Sequence, residues 1–324
     1  MAETTKIEWA DRMWSPWIGC TKVSPACDGC YAEHLMDTRM GRVQWGPHGE
    51  RSRTSKSYWR QPLAWNREAQ AAGRTISVFP SLCDPFDNRP DPGIRREWFD
   101  LMRDTPSLLW LLLSKRPQNA VEMAEAAGGL PANAALGTTC EDQERANRNV
   151  PHLKRARRYL DPRFIFLSVE PMLGPICLWE ADAIRWLPGG TYDDGGQPGY
   201  DEPSPDHLEC VDWVITGGET SQGAHAARPT NPAWFRTIRD QCAKAEIPYL
   251  HKQNGEWVSV SEVEGPGEIH TFADGRNVRR VGKRKAGRTL DGVTHDGFPV
   301  ALSAPLSPRI GPDRQPVCGT GRMG

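Results

Sequence analysis

"LLWLLLSKRP", residues 108–117, runs apolar without a break and then turns at once to Ser114, Lys115, Arg116 and Pro117. A strand with one face in water alternates apolar and polar side chains. An unbroken run of this length is instead a strand buried on both faces, as in a parallel sheet covered by helices. The same pattern recurs in "TISVFPS" (75–81), "AALGTT" (134–139), "RFIFLSVE" (163–170), "VDWVITGGE" (211–219) and "IPYLHKQ" (247–253). A first strand is placed around Trp14–Cys20. Helical patterns fill the gaps at 57–73, 93–105, 117–129, 141–156 and 231–246. Asn231 followed by Pro232 is a helix start, a cap followed by proline at the first turn. Repeated strand–helix alternation predicts an α/β fold, a complete or partial (β/α) TIM-like barrel. A doubly wound sheet competes, but no dinucleotide-binding glycine loop follows the first strand.

Each predicted strand ends in reactive or small polar residues. The second ends at Ser81, Cys83 and Asp84, the third at Ser114, Lys115 and Arg116, the fourth at Thr138, Thr139, Cys140 and Glu141. The fifth ends at Ser168 and Glu170, the sixth at Gly217, Gly218 and Glu219, the last at Lys252 and Gln253. In a parallel barrel these ends share the catalytic face. Helix caps account for single Ser, Thr and Asp residues there, but less well for charges and thiols at nearly every end. Lys115–Arg116, Glu170, Glu219 and Lys252 would make a mixed-charge pocket for a zwitterionic or anionic ligand. Glu170, Lys115 and Lys252 are the catalytic candidates. Ser81, Thr139, Glu141, Ser168, Gly217, Gly218 and Glu219 are candidates for holding a cofactor. A structural pair between Lys252 and Glu219 is also expected.

The first strand runs into "WIGCTKVSPACDGCYAEH" (17–34), with Cys20, Cys27 and Cys30 close together. C-x2-C spacing places two thiolates on one side of a turn, as in zinc and iron–sulfur sites. Three readings are open. His34 as fourth ligand would close a structural zinc site. Three cysteines on a [4Fe–4S] cluster would leave one iron open to a small molecule. Buried core thiols are the bland alternative, although Pro25, Asp28 and Gly29 in the loop argue against a core.

The bulk properties set bounds. The chain has 324 residues and formal net charge −1, so the whole-molecule field gives no reason to expect nucleic-acid binding. No apolar run approaches the ~20 residues of a membrane span, and residues 1–14 carry no signal-peptide core. A cytoplasmic protein is expected. Nine cysteines, most of them scattered singly, fit metal binding and buried thiols better than disulfides. A barrel is expected over 1–257, with an inserted Gly/Pro/Asp-rich loop at 185–209. A small basic extension follows at 258–300 and a disordered tail at 301–324. The run "RNVRRVGKRKAGR" (276–288) is a candidate contact for nucleic-acid phosphates.

Several blocks in order, "TKIEWADRMWSPWIGCTKVSPACDGCYAE", "LLSKRP", "FLSVEPMLGPI", "DWVITGGETSQGA", "HKQNGEW" and "VGKRKAGRTLDG", resemble a phage-associated three-cysteine-motif family of unknown function. That family is regarded as distantly similar to radical S-adenosylmethionine enzymes, which include spore photoproduct lyase. The resemblance implies a partial (β/α) barrel with Cys20, Cys27 and Cys30 holding a [4Fe–4S] cluster. The free iron would bind S-adenosylmethionine, whose reductive cleavage gives a 5′-deoxyadenosyl radical. It further implies a bacterial host cell, an electron donor or partner protein and, with the basic run, a DNA or nucleotide substrate. The C-x6-C-x2-C spacing departs from the usual C-x3-C-x2-C. The Gly217–Glu219 triplet follows a much later strand than the methionine-gripping Gly-Gly-Glu of those enzymes. Asp84, after the second strand, is placed in that ligand-binding role instead.

Overall fold

The computed structural model describes residue 5 and residues 7–179 and 207–303. Seven parallel strands form its main sheet: β1 (Arg12–Met13), β4 (Ile76–Phe79), β5 (Leu108–Ser114), β6 (Ala134–Thr139), β7 (Ile165–Val169), β8 (Trp213–Gly217) and β9 (Tyr249–Gln253). They lie side by side in chain order. Two short strands, β2 (Trp17–Ile18) and β3 (Ser52–Arg53), pair antiparallel outside this sheet. A short helix α1 (Tyr31–Glu33) follows Cys30, and outer helices include α2 (Lys56–Trp59), α3 (Gln61–Ala72), α4 (Pro92–Arg103), α5 (Ala120–Ala126), α6 (Gln143–Leu160) and α7 (Pro232–Lys244).

Strand β5 shows why the apolar runs lack alternation. Leu108, Trp110 and Leu112 pack with the helices, beside Trp98, Phe99 and Val121. Leu109 and Leu111 point the other way, into a second core with Trp9, Phe166, Trp213 and Ile215. Successive side chains alternate faces, and both faces are dry. The second core also shows that the sheet curls. The Trp9 ring lies 4.6 Å from Phe79 in β4 and 6.3 Å from Trp213 in β8. Those strands are four places apart, about 19 Å in a flat sheet. One indole reaches both only if the sheet bends around it. The architecture is a mixed α/β half-barrel.

That curl leaves no room at Gly137 in β6. A Cβ there would lie 2.5 Å from the Phe166 ring. Gly137→Ala is therefore expected to destabilise the protein by about 1–3 kcal/mol through overpacking. An unchanged urea midpoint would count against this packing.

Two sequence expectations need correction. The first sheet strand is Arg12–Met13, not Trp14–Cys20. Trp14 N still donates to Phe79 O, but Pro16 has no N–H for a ladder, and the chain leaves the sheet there. The apolar Trp14 and Trp17 are buried against helices instead of continuing a strand. The helix expected over 57–73 is two helices, because Pro62 starts a new one within its first turn. The start at Asn231–Pro232 stands, with Asn231 Oδ1 accepting from Ala233 N.

The C-terminal segment adds a three-stranded antiparallel sheet of β10 (Trp257–Ser259), β12 (Asn277–Arg280) and β11 (Ile269–Thr271). It is tied to the half-barrel by Asn254, whose Nδ2 donates to Ala286 O and Thr289 O. The insertion expected at 185–209 falls outside the described residues up to 206, and the tail expected at 301–324 falls outside them beyond a short helix, Val300–Ser303.

Candidate functional site

The cysteine loop lies over the C-terminal ends of the central strands. Cys20 follows β2, Cys27 closes the tight turn Pro25–Cys27, and Cys30 caps the N-terminus of α1. All three line one cavity of about 140 Å³. Ser81 and Asp84 after β4, Ser114, Lys115 and Arg116 at the end of β5, and Thr139 of β6 complete its wall, with Trp45 and Phe79 as aromatic sides. Burial pushes the Cys20 thiol up to about 12, and burial also raises Cys30. Both are therefore neutral thiols in the free protein, and a bound metal group must displace their protons. Burial opposes the Lys115 ammonium, but Cys27 and Cys30 where ionised, with Glu141 and Asp84, outweigh it and raise its pKa above the ordinary lysine value.

Charged side chains from strand ends and from two other loops hold the loop. Arg116 Nη1 lies 3.5 Å from Cys20 Sγ, and its Nη2 donates to Thr21 O at 2.8 Å. Arg51 Nη2 donates to Thr21 Oγ1 at 2.7 Å. Glu141 Oε1 accepts from Ala26 N at 3.2 Å. Arg228 donates from Nη2 to Pro25 O at 2.9 Å and from Nη1 to Asp28 at 3.2 Å. Glu219 in turn accepts from Arg228 Nε and Nη2. Burial works to raise the Glu219 carboxyl, but its bonds from Arg228 prevail and hold it below the ordinary range. Between Cys27 and Cys30, Gly29 leaves room for the His225 ring, since a Cβ there would lie 2.8 Å from it.

The predicted residues divide. Cys20, Cys27, Cys30, Ser81, Asp84, Lys115 and Thr139 share the cavity wall. Asp84 does not face it with free oxygens. Its Oδ1 accepts from Ser114 Oγ and Phe86 N, and its Oδ2 from Lys115 N and Arg116 Nη1. Glu141 is fully buried behind the loop. Its Oε2 and the Thr139 hydroxyl are buried without a hydrogen-bond partner among the described residues. Ser168 is a buried β7 residue whose carbonyl accepts from Cys140 N. Gly217 and Gly218 serve close packing, since a Cβ would lie 3.0 Å from the Glu170 carboxyl carbon and 2.1 Å from Asn254 O respectively.

The expected Lys252–Glu219 pair is replaced by another. Lys252 Nζ donates to both Glu170 oxygens, at 2.7 and 2.9 Å, while Glu219 belongs to Arg228. Adjacent strand ends meet here, β9 against β8 and β8 against β7, so Lys252 reaches across β8. None of Glu170, Glu219 and Lys252 lines the cysteine cavity, whose charged wall includes Lys115, Arg116 and Asp84. His34 does not line it either; its ring packs at Gly223. In the basic run, Arg276, Arg280 and Arg288 pair with Asp274, Glu256 and Asp296, while Arg279 and Lys285 donate to the carbonyls of Val263 and Glu264. Most of its charge is thus used within the chain.

Sequence reading missed Arg51, Arg228 and the cavity role of Cys83. Cys83 is a fourth cysteine on the cavity wall, and its thiol is held far above the ordinary range by burial. Its position at a strand end was the available signal. Arg51 and Arg228 sit in loops with no periodic pattern to mark them. Among the described residues, no three His, Cys, Asp or Glu side chains converge to hold a single metal ion. Nor is any helix among them long and apolar enough to cross a membrane.

Among solved structures, a mutant spore photoproduct lyase is similar at 10% identity, over 87% of this chain and 71% of that chain, with a TM-score of 0.40. No curated protein matches. The sequence model of one family, described as a protein of unknown function, matches residues 4–299, which spans the half-barrel, the cysteine loop and the C-terminal sheet; the chain belongs to this DUF5131 family.

Proposed function

We propose that this chain is an iron–sulfur enzyme of the radical S-adenosylmethionine type, with Cys20, Cys27 and Cys30 holding a [4Fe–4S] cluster. The observation that carries the reading is the arrangement of the three thiols: Cys20, Cys27 and Cys30 line one cavity at the strand ends. Three cysteines on a [4Fe–4S] cluster leave one iron open to a small molecule. A structural zinc site fits less well, because His34 lies away from the cavity wall.

When bound, such a cluster supplies one electron for reductive cleavage of a sulfonium carbon–sulfur bond. The chain's own residues would do the rest. Lys115 offers an ammonium at the cavity wall to a carboxylate. Thr139 Oγ1, buried without a partner among the described residues and on the cavity wall, offers an acceptor to an ammonium. Asp84, committed to four donors, has no free oxygen for that task. Trp45 and Phe79 supply apolar walls that exclude water.

The test is iron, acid-labile sulfide and zinc in anaerobically purified protein, beside a Cys27→Ala/Cys30→Ala variant. About four irons and four sulfides per chain, lost in the variant, are expected. One zinc with no sulfide would overturn the reading.

A further inference from the structure

Arg116 stands between a carboxylate and a ligand sulfur. Its Nη1 lies 2.9 Å from Asp84 Oδ2 and 3.5 Å from Cys20 Sγ. Its Nη2 is anchored on Thr21 O, so the guanidinium plane is fixed from a second side. Asp84 is fixed as well, by Ser114 Oγ at 2.6 Å and by the N–H groups of Phe86 and Lys115. Both partners are buried, with side chains 8% and 7% exposed, so water screens their charges little. Hydrogen bonds to ligand sulfurs and net local charge are among the levers that set an iron–sulfur potential. A donor and positive charge at the sulfur favour the reduced cluster. A carboxylate nearby favours the oxidised one.

We infer that the Asp84–Arg116 pair sets the reduction potential of the cluster, Arg116 raising it through Cys20 and Asp84 limiting that rise. This rests on the cluster reading above. Arg116 is a positioning residue here: it acts through the Cys20 sulfur and touches no substrate. The pair also tethers the loop, but tethering alone predicts only a common loss of iron on mutation. Tuning predicts shifts of opposite sign. Arg116→Gln removes the charge beside the sulfur. Arg116→Lys keeps it. Asp84→Asn leaves the guanidinium uncompensated.

The experiment is a mediated redox titration of the reconstituted full chain, followed by electron paramagnetic resonance, with iron and sulfide measured on the same samples. At unchanged iron content, Arg116→Gln shifts the midpoint to more negative potential, Arg116→Lys stays near the parent and Asp84→Asn shifts it to more positive potential. Fully loaded Arg116→Gln at the parent potential would overturn the inference and leave the cluster reading standing. If Arg116→Gln loads poorly, Asp84→Asn against Arg116→Lys decides, and equal midpoints overturn it. A parent protein that takes up no iron or sulfide overturns the cluster reading and this inference with it.

Discussion

Arg51→Met is expected to destabilise the protein by about 3–5 kcal/mol, because it strands a buried carboxylate. Arg51 Nε donates to Asp87 at 2.5 Å, and the two side chains are 1% and 0% exposed. The guanidinium has further duties: Nη1 donates to the carbonyls of Gly46 and Gly49, and Nη2 to Thr21 Oγ1. Methionine fills much of the volume but supplies none of these donors. The Asp87 charge would then lie in a low-dielectric site without its cation, and two carbonyls would lose a partner. Denaturant unfolding measures the loss. The double variant Arg51→Met/Asp87→Leu separates its causes. Removing both charges is expected to recover a large part of the stability, because a buried pair contributes little net and an unpaired charge is what destabilises. A double variant no more stable than the single one would mean that the carbonyl and Thr21 contacts dominate. Thr21 adjoins Cys20, so on the proposed cluster reading the single variant is also expected to load less iron.

The strand cores were readable because burial on both faces leaves an unmistakable run. Leu108–Ser114 and Ala134–Thr139 have the bounds that the apolar pattern suggests. The first strand was not readable from apolarity. Trp14 and Trp17 bury as completely as any strand residue, yet Pro16 between them ends the ladder. The site divides along the same line. Its location followed from topology, since parallel strands bring all their polar ends to one face, and the three cysteines do share a cavity there. Its pairings did not follow, because ion pairs depend on reach and curvature rather than on spacing. Lys252 has two acidic strand ends within two strands and takes Glu170 because Arg228 already occupies Glu219. Arg228 contacts a loop some two hundred residues earlier, and no local pattern announces such a contact.

Stability is also expected to fall by about 3 kcal/mol between pH 6.5 and pH 4 through one residue, His251. Its side chain is fully buried, and burial pulls its pKa from 6.5 to about 4; the Asn254 bond opposes this, His295 and Arg288 reinforce it, and Glu170 opposes it. The hydrogen bonds show why the ring must stay neutral. Asn254 Nδ2 donates to Ala286 O and Thr289 O, so its Oδ1 is the acceptor that faces His251 Nε2 at 3.0 Å. Nε2 therefore carries the proton, and Nδ1 accepts from Thr216 Oγ1 at 3.0 Å. Thr216 Oγ1 in turn accepts from Tyr249 Oη at 2.7 Å. A second proton on Nδ1 would face the Thr216 hydroxyl hydrogen, and both hydroxyls would have to turn. The sign follows from proton counts. Below pH 6.5 the unfolded chain protonates this histidine and the native protein does not, so stability rises with pH across the window and is lost as pH falls towards 4. His251→Gln keeps a neutral amide against Thr216 and Asn254 but removes the titration. Its unfolding free energy is expected to be lower than the parent's at pH 7, and the two are expected to converge as pH approaches 4. Carboxylates held low by arginines, such as Asp291 at about 2, act in both proteins and at lower pH, so they do not mimic the difference. Parallel pH profiles for the two proteins from pH 7 to 4 would show that this chain of hydroxyls, which ties β8 to β9 and through Asn254 to the C-terminal segment, does not depend on a neutral ring.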